Sequence, residues 1–467
     1  MIRIPAILIL SLLTAVITGA QPEGNVLFRG QLSGWINVNP ANDLPLWTGV
    51  RYIPRVNYGI PFGGNRLIDI ELSPSISGTS GMHPFDQYEN GGDIKPYRVW
   101  ARYSSARFEV RAGLQKINFG SASLVRPLMW FDQVDPRDPL QLTDGVWALL
   151  GRYYFLNNVN IWVWGLYGNE GPKTWEISET AHRKPEFGGR FQVPVPRGET
   201  AISFHHRQAR FNSVDFSQTS YWSSLPGDNS GAAMRTAGND IFLKNLAGSI
   251  FAAELYNRRF AGNYLSEFLD ENDEIVMQTA GNGVSPESHT SFVRAQEFCN
   301  HELAGADLSA IPENRLGIDG KWDIGIGLWA EAAWFRKGRS VGMLTNQHIM
   351  TVGADYTFSI GNGIHTLIEQ VLISTDRQAF RFGNRNHFTA ASLSYPLGIF
   401  DNISAIIYRD WTNENIYSFV NWHRQFNWLG FYLMGFWNPE TFHLPQQTEG
   451  AQMFSGRGVQ FMLVFNH

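Results

Sequence analysis

The sequence predicts an all-β protein, a transmembrane up-and-down antiparallel β-barrel of about 16 strands, within a range of 14 to 18, with long loops. Three observations lead there. Segments of alternating apolar and polar residues recur along the chain. The stretch Gly458 to Phe465 places Val459, Phe461, Leu463 and Phe465 on one face and Gln460, Met462 and Val464 on the other, as in a strand with one side against lipid. Aromatics are abundant, with 16 Trp, 16 Tyr and 32 Phe, yet the mean hydropathy is slightly negative. A wall that is apolar outside and polar inside needs that combination.

The first residues read as an address. Arg3 precedes an apolar run from Ile4 to Val16, and Thr18-Gly19-Ala20 supplies a small-x-small cleavage site before Gln21. The expected organisation is therefore a signal peptide over 1–20 and a single barrel domain over 21–467. The run is shorter than the ~20 residues of a membrane-spanning helix, and no later apolar run is long enough for one. Losing the signal removes one Arg, so the formal charge moves from −5 by one to −6, which gives no case for nucleic-acid binding. Cys299 is the one cysteine, so no intrachain disulfide forms.

Each element is justified by its alternation. Over Arg107 to Gln115, Phe108, Val110, Ala112 and Leu114 oppose Arg107, Glu109, Arg111 and Gln115, a second face too polar for a protein core. Gly189 to Val193 repeats the pattern, and Ile202 to His205 continues it after a turn at Pro194 to Gly198. From Leu316 to Leu328 a single strand is expected, with Ile318, Trp322, Ile324 and Ile326 alternating with Asp319, Lys321 and Asp323. Further strands are expected at 349–360, 365–374, 387–395, 403–411, 416–423 and 428–437, several separated by turn residues such as Gly361-Asn362-Gly363. No fixed-period motif of a propeller is present. Two stretches break the rhythm: 213–238, rich in Ser, Gly and Asn, and 262–313, which contains a helix-compatible piece at Ser291 to Phe298. They are candidates for external loops or for segments folded into the lumen.

One segment is unlike the rest. Lys116-Ile117-Asn118-Phe119-Gly120 leads through Asp132, Asp135-Pro136-Arg137-Asp138-Pro139 to Asp144, a rigid and acidic connection between strands. With the signal, the meander and the terminal aromatic strand, it resembles bacterial outer-membrane porin-like proteins, whose strands end in a basic-Ile-Asn-aromatic-Gly run before an Asp-Pro-x-Asp-Pro loop. The resemblance implies a closed barrel in the bacterial outer membrane that passes solutes, with Asp132, Asp135, Arg137 and Asp138 near the pore, and homo-oligomers by analogy. Asn466-His467 departs from the usual terminal aromatic. The four Asp of the segment, Asp132, Asp135, Asp138 and Asp144, also suggest oxygen ligands for calcium, but their spacing does not reproduce an EF-hand loop.

The functional expectation is electrostatic. Arg107, Glu109, Arg111, Arg190, His205, Arg207, Asp319, Lys321, Asp323 and Glu331 lie on polar strand faces and would line a watery lumen, selecting small hydrophilic solutes or merely keeping the lumen wet. Both signs occur, so neither anion nor cation preference follows. No cofactor is implied, and the expected partners are membrane lipid and solutes. Two alternatives stand beside the channel: a barrel platform in an envelope transport or assembly complex, suggested by the long central loops, and a hydrolase built on pairs such as His205-His206 or His289 with Ser291. No nucleophile elbow, His-Glu-x-x-His site or phosphate-binding loop is present, which favours a protein that is not an enzyme.

Overall fold

The computed structural model describes residues 26–40, 42, 44–83, 88–134, 137–211, 309–341, 344–439 and 451–467. The expected signal, loop 213–238, the helix at Ser291 to Phe298, His289, Cys299, Asp135 and nearly all of 262–313 lie outside the described residues. The chain runs through β1 (Val26–Val38), β2 (Leu46–Phe62), β3 (Arg66–Met82), β4 (Tyr88–Ser104), β5 (Phe108–Gln115), β6 (Val146–Tyr154), β7 (Asn160–Leu166), β8 (Glu179–Thr180), β9 (Glu186–Val195) and β10 (Gly198–Arg210). It continues through β11 (Ile311–Asp323), β12 (Gly327–Lys337), β13 (Asn346–Phe358), β14 (Ile364–Asp376), β15 (Asn384–Pro396), β16 (Asp401–Asp410), β17 (Ile416–Gln425), β18 (Leu429–Trp437) and β19 (Arg457–Asn466).

Each long strand pairs antiparallel with the next. β7 pairs directly with β9, while the two-residue β8 lies against β10. β1 pairs with β19 from Gln31↔Asn466 to Val38↔Val459, so the sheet closes into a barrel of 18 strands with one extra piece. Closure removes every free edge, the condition for a sheet to stand in hydrocarbon, where no water can satisfy an unpaired N–H.

The wall has two chemically distinct sides. Outward positions such as Leu149, Val163, Ile202, Ile318, Val352, Ile368 and Phe461 are exposed, the belt that lipid tails would cover. Arg111 takes the other face of its strand, where it pairs with Glu109 at 3.1 Å. The ends differ as well. At the end that carries His467, connections are short: 63–65, 105–107, 196–197, 324–326 and 426–428 among them. At the opposite end lie longer ones, 116–145 and 167–185 among them, and there β10 ends at Arg210 and β11 begins at Ile311.

His467 packs at the seam between β1 and β19. Its backbone exchanges hydrogen bonds with Gly30 at 2.9 and 3.0 Å, and its ring stacks against Tyr52 and Phe465 and tilts against Phe28.

Two expectations are corrected. The single strand from Leu316 to Leu328 is a hairpin, β11 and β12, turning at 324–326. Gly325 sits there at φ 96°, where a side chain is strained, and Asp323 accepts its N–H at 3.1 Å. Similarly, 311–313 of the expected loop already belong to β11.

The lumen is not simply an aqueous cylinder. The 116–145 connection folds inward, and Ile117, Phe119, Leu124, Val125, Leu128, Trp130 and Phe131 join one buried cluster with inward residues of β6, β7 and β12–β18. Apolar side chains such as Trp329, Phe388, Tyr417 and Phe436 therefore point into the barrel, because a folded loop rather than water meets them there.

Candidate functional site

The inward connection is held by carboxylates that the strands supply. Glu331 on β12 accepts the backbone N–H of Ser121 at 2.7 Å and Ala122 at 2.9 Å, and that of Leu128. Glu369 on β14 accepts Ser123, Leu124 and Val125 at 2.6, 3.0 and 2.8 Å, together with the Trp329 indole N–H at 3.0 Å. Thr351 on β13, lying between them, donates to the Val125 carbonyl at 2.9 Å. Irregular backbone inside a barrel leaves N–H groups without ladder partners, and each carboxylate side chain offers them two acceptor oxygens. Gly120 makes the approach fit: φ is 106°, and a Cβ would lie 2.5 Å from a Glu331 oxygen.

Aromatic packing fixes the loop on its other side. Phe119 stacks on Trp164 at 5.4 Å and meets Trp130 edge-on at 5.5 Å. The Arg126 guanidinium binds Asn118, the Phe119 carbonyl and Asp132, tying the two limbs of the loop together. Burial pushes the Asp132 carboxyl above its ordinary value, against the pull of Arg126 and Lys116.

A second inward segment, 167–185, seals a charge network onto β9–β12. Arg207 binds Glu313 at 2.7 Å and Glu176 at 3.0 Å. Arg315 bridges the same two glutamates. Lys173 reaches Glu186 at 2.9 Å and Glu176 at 3.3 Å. Lys337 lies 3.4 Å from Glu313. Burial alone would raise the Glu176 carboxyl, but Arg207, Lys173 and Arg315 outweigh it and hold it below the ordinary value.

The wall from β2 to β6 keeps a different character. Arg102 forks onto Asp69 through two 2.8 Å hydrogen bonds. Glu109 is shared by Arg111 at 3.1 Å and by Arg102 and Arg152 at 3.7 Å. Arg55 meets Glu71 at 3.4 Å with 45% of its side chain exposed. Trp100 lies under Arg102 and Arg111, and Trp162 under Arg152. These side chains are partly open to solvent, so this strip is the hydrated part of the inner surface.

The sequence-derived candidates scatter over these environments. Glu109 and Arg111 join the hydrated strip. Arg190 and Asp319 form a buried bidentate pair at 2.6 and 3.0 Å, with Ser121 of the loop donating to Asp319 at 2.9 Å. His205, Arg207 and Glu331 are sealed against the inward segments rather than bathed in lumen water. Lys321 and Asp323 are exposed near the short-turn end. Arg107 is displaced from its expected strand face, standing exposed in the 105–107 turn because β5 begins only at Phe108. Among the loop candidates, Asp132 is buried beside Arg126, Arg137 is buried with its guanidinium 5.9 Å from the Phe419 ring centroid, and Asp138 caps Leu140 and Leu142. Asp144 pairs instead with Lys95 at 2.9 Å, so the three described acids, Asp132, Asp138 and Asp144, do not converge on one site, and Asp135 lies outside the described residues. His205 and His206 take opposite faces: His205 accepts from Trp164 and donates to Glu186, whereas His206 bonds outward-facing Asn314.

Sequence reading missed Glu369, Glu176, Glu186, Glu313 and Arg315. Glu369 alone left a signal, a single carboxylate on the face that Leu367 and Val371 otherwise make apolar.

The closed wall, its apolar belt and its inward-folded loop decide the class. The chain is an outer-membrane β-barrel. No family model and no curated protein matches its sequence. Among solved structures the barrel is similar to Wzi of Escherichia coli, described as a carbohydrate-binding outer-membrane barrel involved in group 1 capsule assembly, at 7% identity and a TM-score of 0.45, covering 98% of this chain and 87% of that one. It is also similar to Salmonella typhi OmpF, at 9% and 0.43, covering 95% and 98%. The anion-selective porin of Comamonas acidovorans matches at 7% and 0.42, covering 95% and 99%.

Proposed function

We propose that this barrel is a channel for small hydrophilic solutes whose path is narrowed by the 116–145 connection. The observation that carries the reading is the division of the lumen. The connection is latched against β11–β14 by Glu331, Glu369 and Asp319, while the charged strip of β2–β6 stays partly exposed. A hydrated, charged strip beside a fixed obstruction restricts size and replaces lost hydration for what passes. Purified barrel in planar bilayers is expected to give stepwise conductance, larger per step when Glu331 and Glu369 are both replaced by Ala. Protein that is folded by heat-modifiable migration yet silent in both forms refutes the channel.

A second reading has its own support. The buried cluster reaches from β6 to β18, which favours an occluded barrel acting as a binding platform in an envelope assembly. Silent bilayers together with a partner retained through purification in mild detergent would establish it. For the hydrolase reading, His205 of the His205-His206 pair has both ring nitrogens engaged by Glu186 and Trp164, and His289 and Ser291 lie outside the described residues.

A further inference from the structure

We propose that the outward face of β12–β16, at the long-loop end, is a binding site for a phosphorylated lipid of the leaflet surrounding that end. Arg336 closes the outward row of β12 opposite Asn346. Arg385 opens that of β15 opposite Ser374, and Arg409 lies across from Thr389 near the end of β16. With neighbouring strands ~4.8 Å apart, four steps separate β12 from β16 by roughly 19 Å across the sheet, and because Arg409 registers with Ala330 through Thr389, Gln370 and Val352, it also lies about 20 Å from Arg336 along the strands. The outward carboxylate at this end of the five strands is Asp376, and its oxygens are already taken by the N–H groups of Gln378 and Gly383 at 2.9 and 3.1 Å. Arg336 and Arg385 are exposed, and among the described residues neither meets a carboxylate.

Two further observations point to a lipid rather than to a free ion. Farther along the same face towards the other end, Val352, Ile368 and Ile407 are 56%, 54% and 47% exposed, an acyl-binding surface that begins two residues from Arg409 and six residues from the partners of Arg336 and Arg385. Between them sits an aromatic cap: Trp334 lies parallel to His348 with 6.2 Å between ring centroids, and Phe380 of the β14–β15 connection folds over both. His348 is 1% exposed, and neither ring nitrogen has a hydrogen-bond partner. His348 is sealed under Phe380 and Phe382, so the donors for a phosphate oxygen are the arginines, and Trp334 suits the boundary between headgroup and hydrocarbon.

The test uses the full chain in nanodiscs of phosphatidylcholine with or without phosphatidic acid, reading retained lipid by native mass spectrometry. Wild type is expected to retain phosphatidic acid preferentially. The Arg336→Gln/Arg385→Gln variant should bind it on the order of 30-fold more weakly, as two arginines at an anionic surface imply, while the Lys versions largely keep it. Equal retention by the Gln variant overturns the proposal. So does inorganic phosphate displacing the lipid as effectively as added phosphatidic acid, which would mark the site as one for a free anion. Should the double variant fail to fold, wild type read at rising ionic strength decides: retention falling with salt supports the site, and retention indifferent to salt refutes it. The reading does not depend on solute passage, since bilayer conductance of the variant is expected to be unchanged.

Discussion

Replacing Glu369 by Ala tests the latch most directly. The carboxylate is fully buried and accepts four hydrogen bonds, three from consecutive loop N–H groups and one from Trp329. Each bond to a charged acceptor contributes about 1.5–3 kcal/mol. The sum overstates the loss, because burying the carboxylate has its own desolvation cost and a released loop regains water. Among the described residues Glu369 has no cationic partner, so the better scale is the cost of a buried N–H left without its acceptor, about 1–3 kcal/mol each. For three loop N–H groups partly recovered by water the loss is about 3–4 kcal/mol. At 1.4 kcal/mol per tenfold, the open population of the loop rises by roughly two to three powers of ten. Hydrogen exchange of a peptide spanning Ser121 to Leu128 reads this directly, since protection there reports the local opening free energy. Exchange at β15 and β16 should not change. Glu369→Gln keeps an acceptor oxygen but loses the charge, so it should fall between wild type and Ala. Protection of 121–128 that is unchanged in the Ala variant would refute the claim that strand carboxylates hold the loop.

Arg207→Ala leaves Glu176 and Glu313 short of a partner and is expected to cost about 3–5 kcal/mol, read as a lower urea midpoint of heat-modifiable migration; an unchanged midpoint would count against a tight network. The pH dependence of that network follows from Glu176. Its folded value lies below the ordinary 4.5, so the folded state binds fewer protons and the contribution is full above 4.5 and lost as pH falls below it. The urea midpoint should drop on acidification through that window, and Glu176→Gln should flatten the drop; equal slopes in both proteins contradict the assignment. Phe461→Arg places a charge on the lipid face in the middle of β19 and should destabilise the barrel by about 2–4 kcal/mol if it stands at the bilayer midplane. A similar midpoint for the variant and wild type would show that Phe461 does not face hydrocarbon.

Alternation of residue type determined much of this protein before any coordinate. Phe461 outside and Arg111 inside follow from a period of two, and a wall greasy on one face and charged on the other has few solutions besides a closed barrel. The same pattern misled at Leu316 to Leu328. A tight turn at Gly325 preserved the alternation of Ile324, Ile326 and Leu328, so one apparent strand concealed a hairpin.

What only the tertiary structure decided was the interior. Glu331 and Glu369 come from one strand and its next neighbour but one, and the loop N–H groups they accept sit about 200 or more positions earlier in the chain. Their polar character was legible, yet whether water or a folded loop faced them was not. The reason is physical: sequence period sets which side of a wall a residue takes, whereas the dielectric it meets there depends on distant segments that no local pattern encodes.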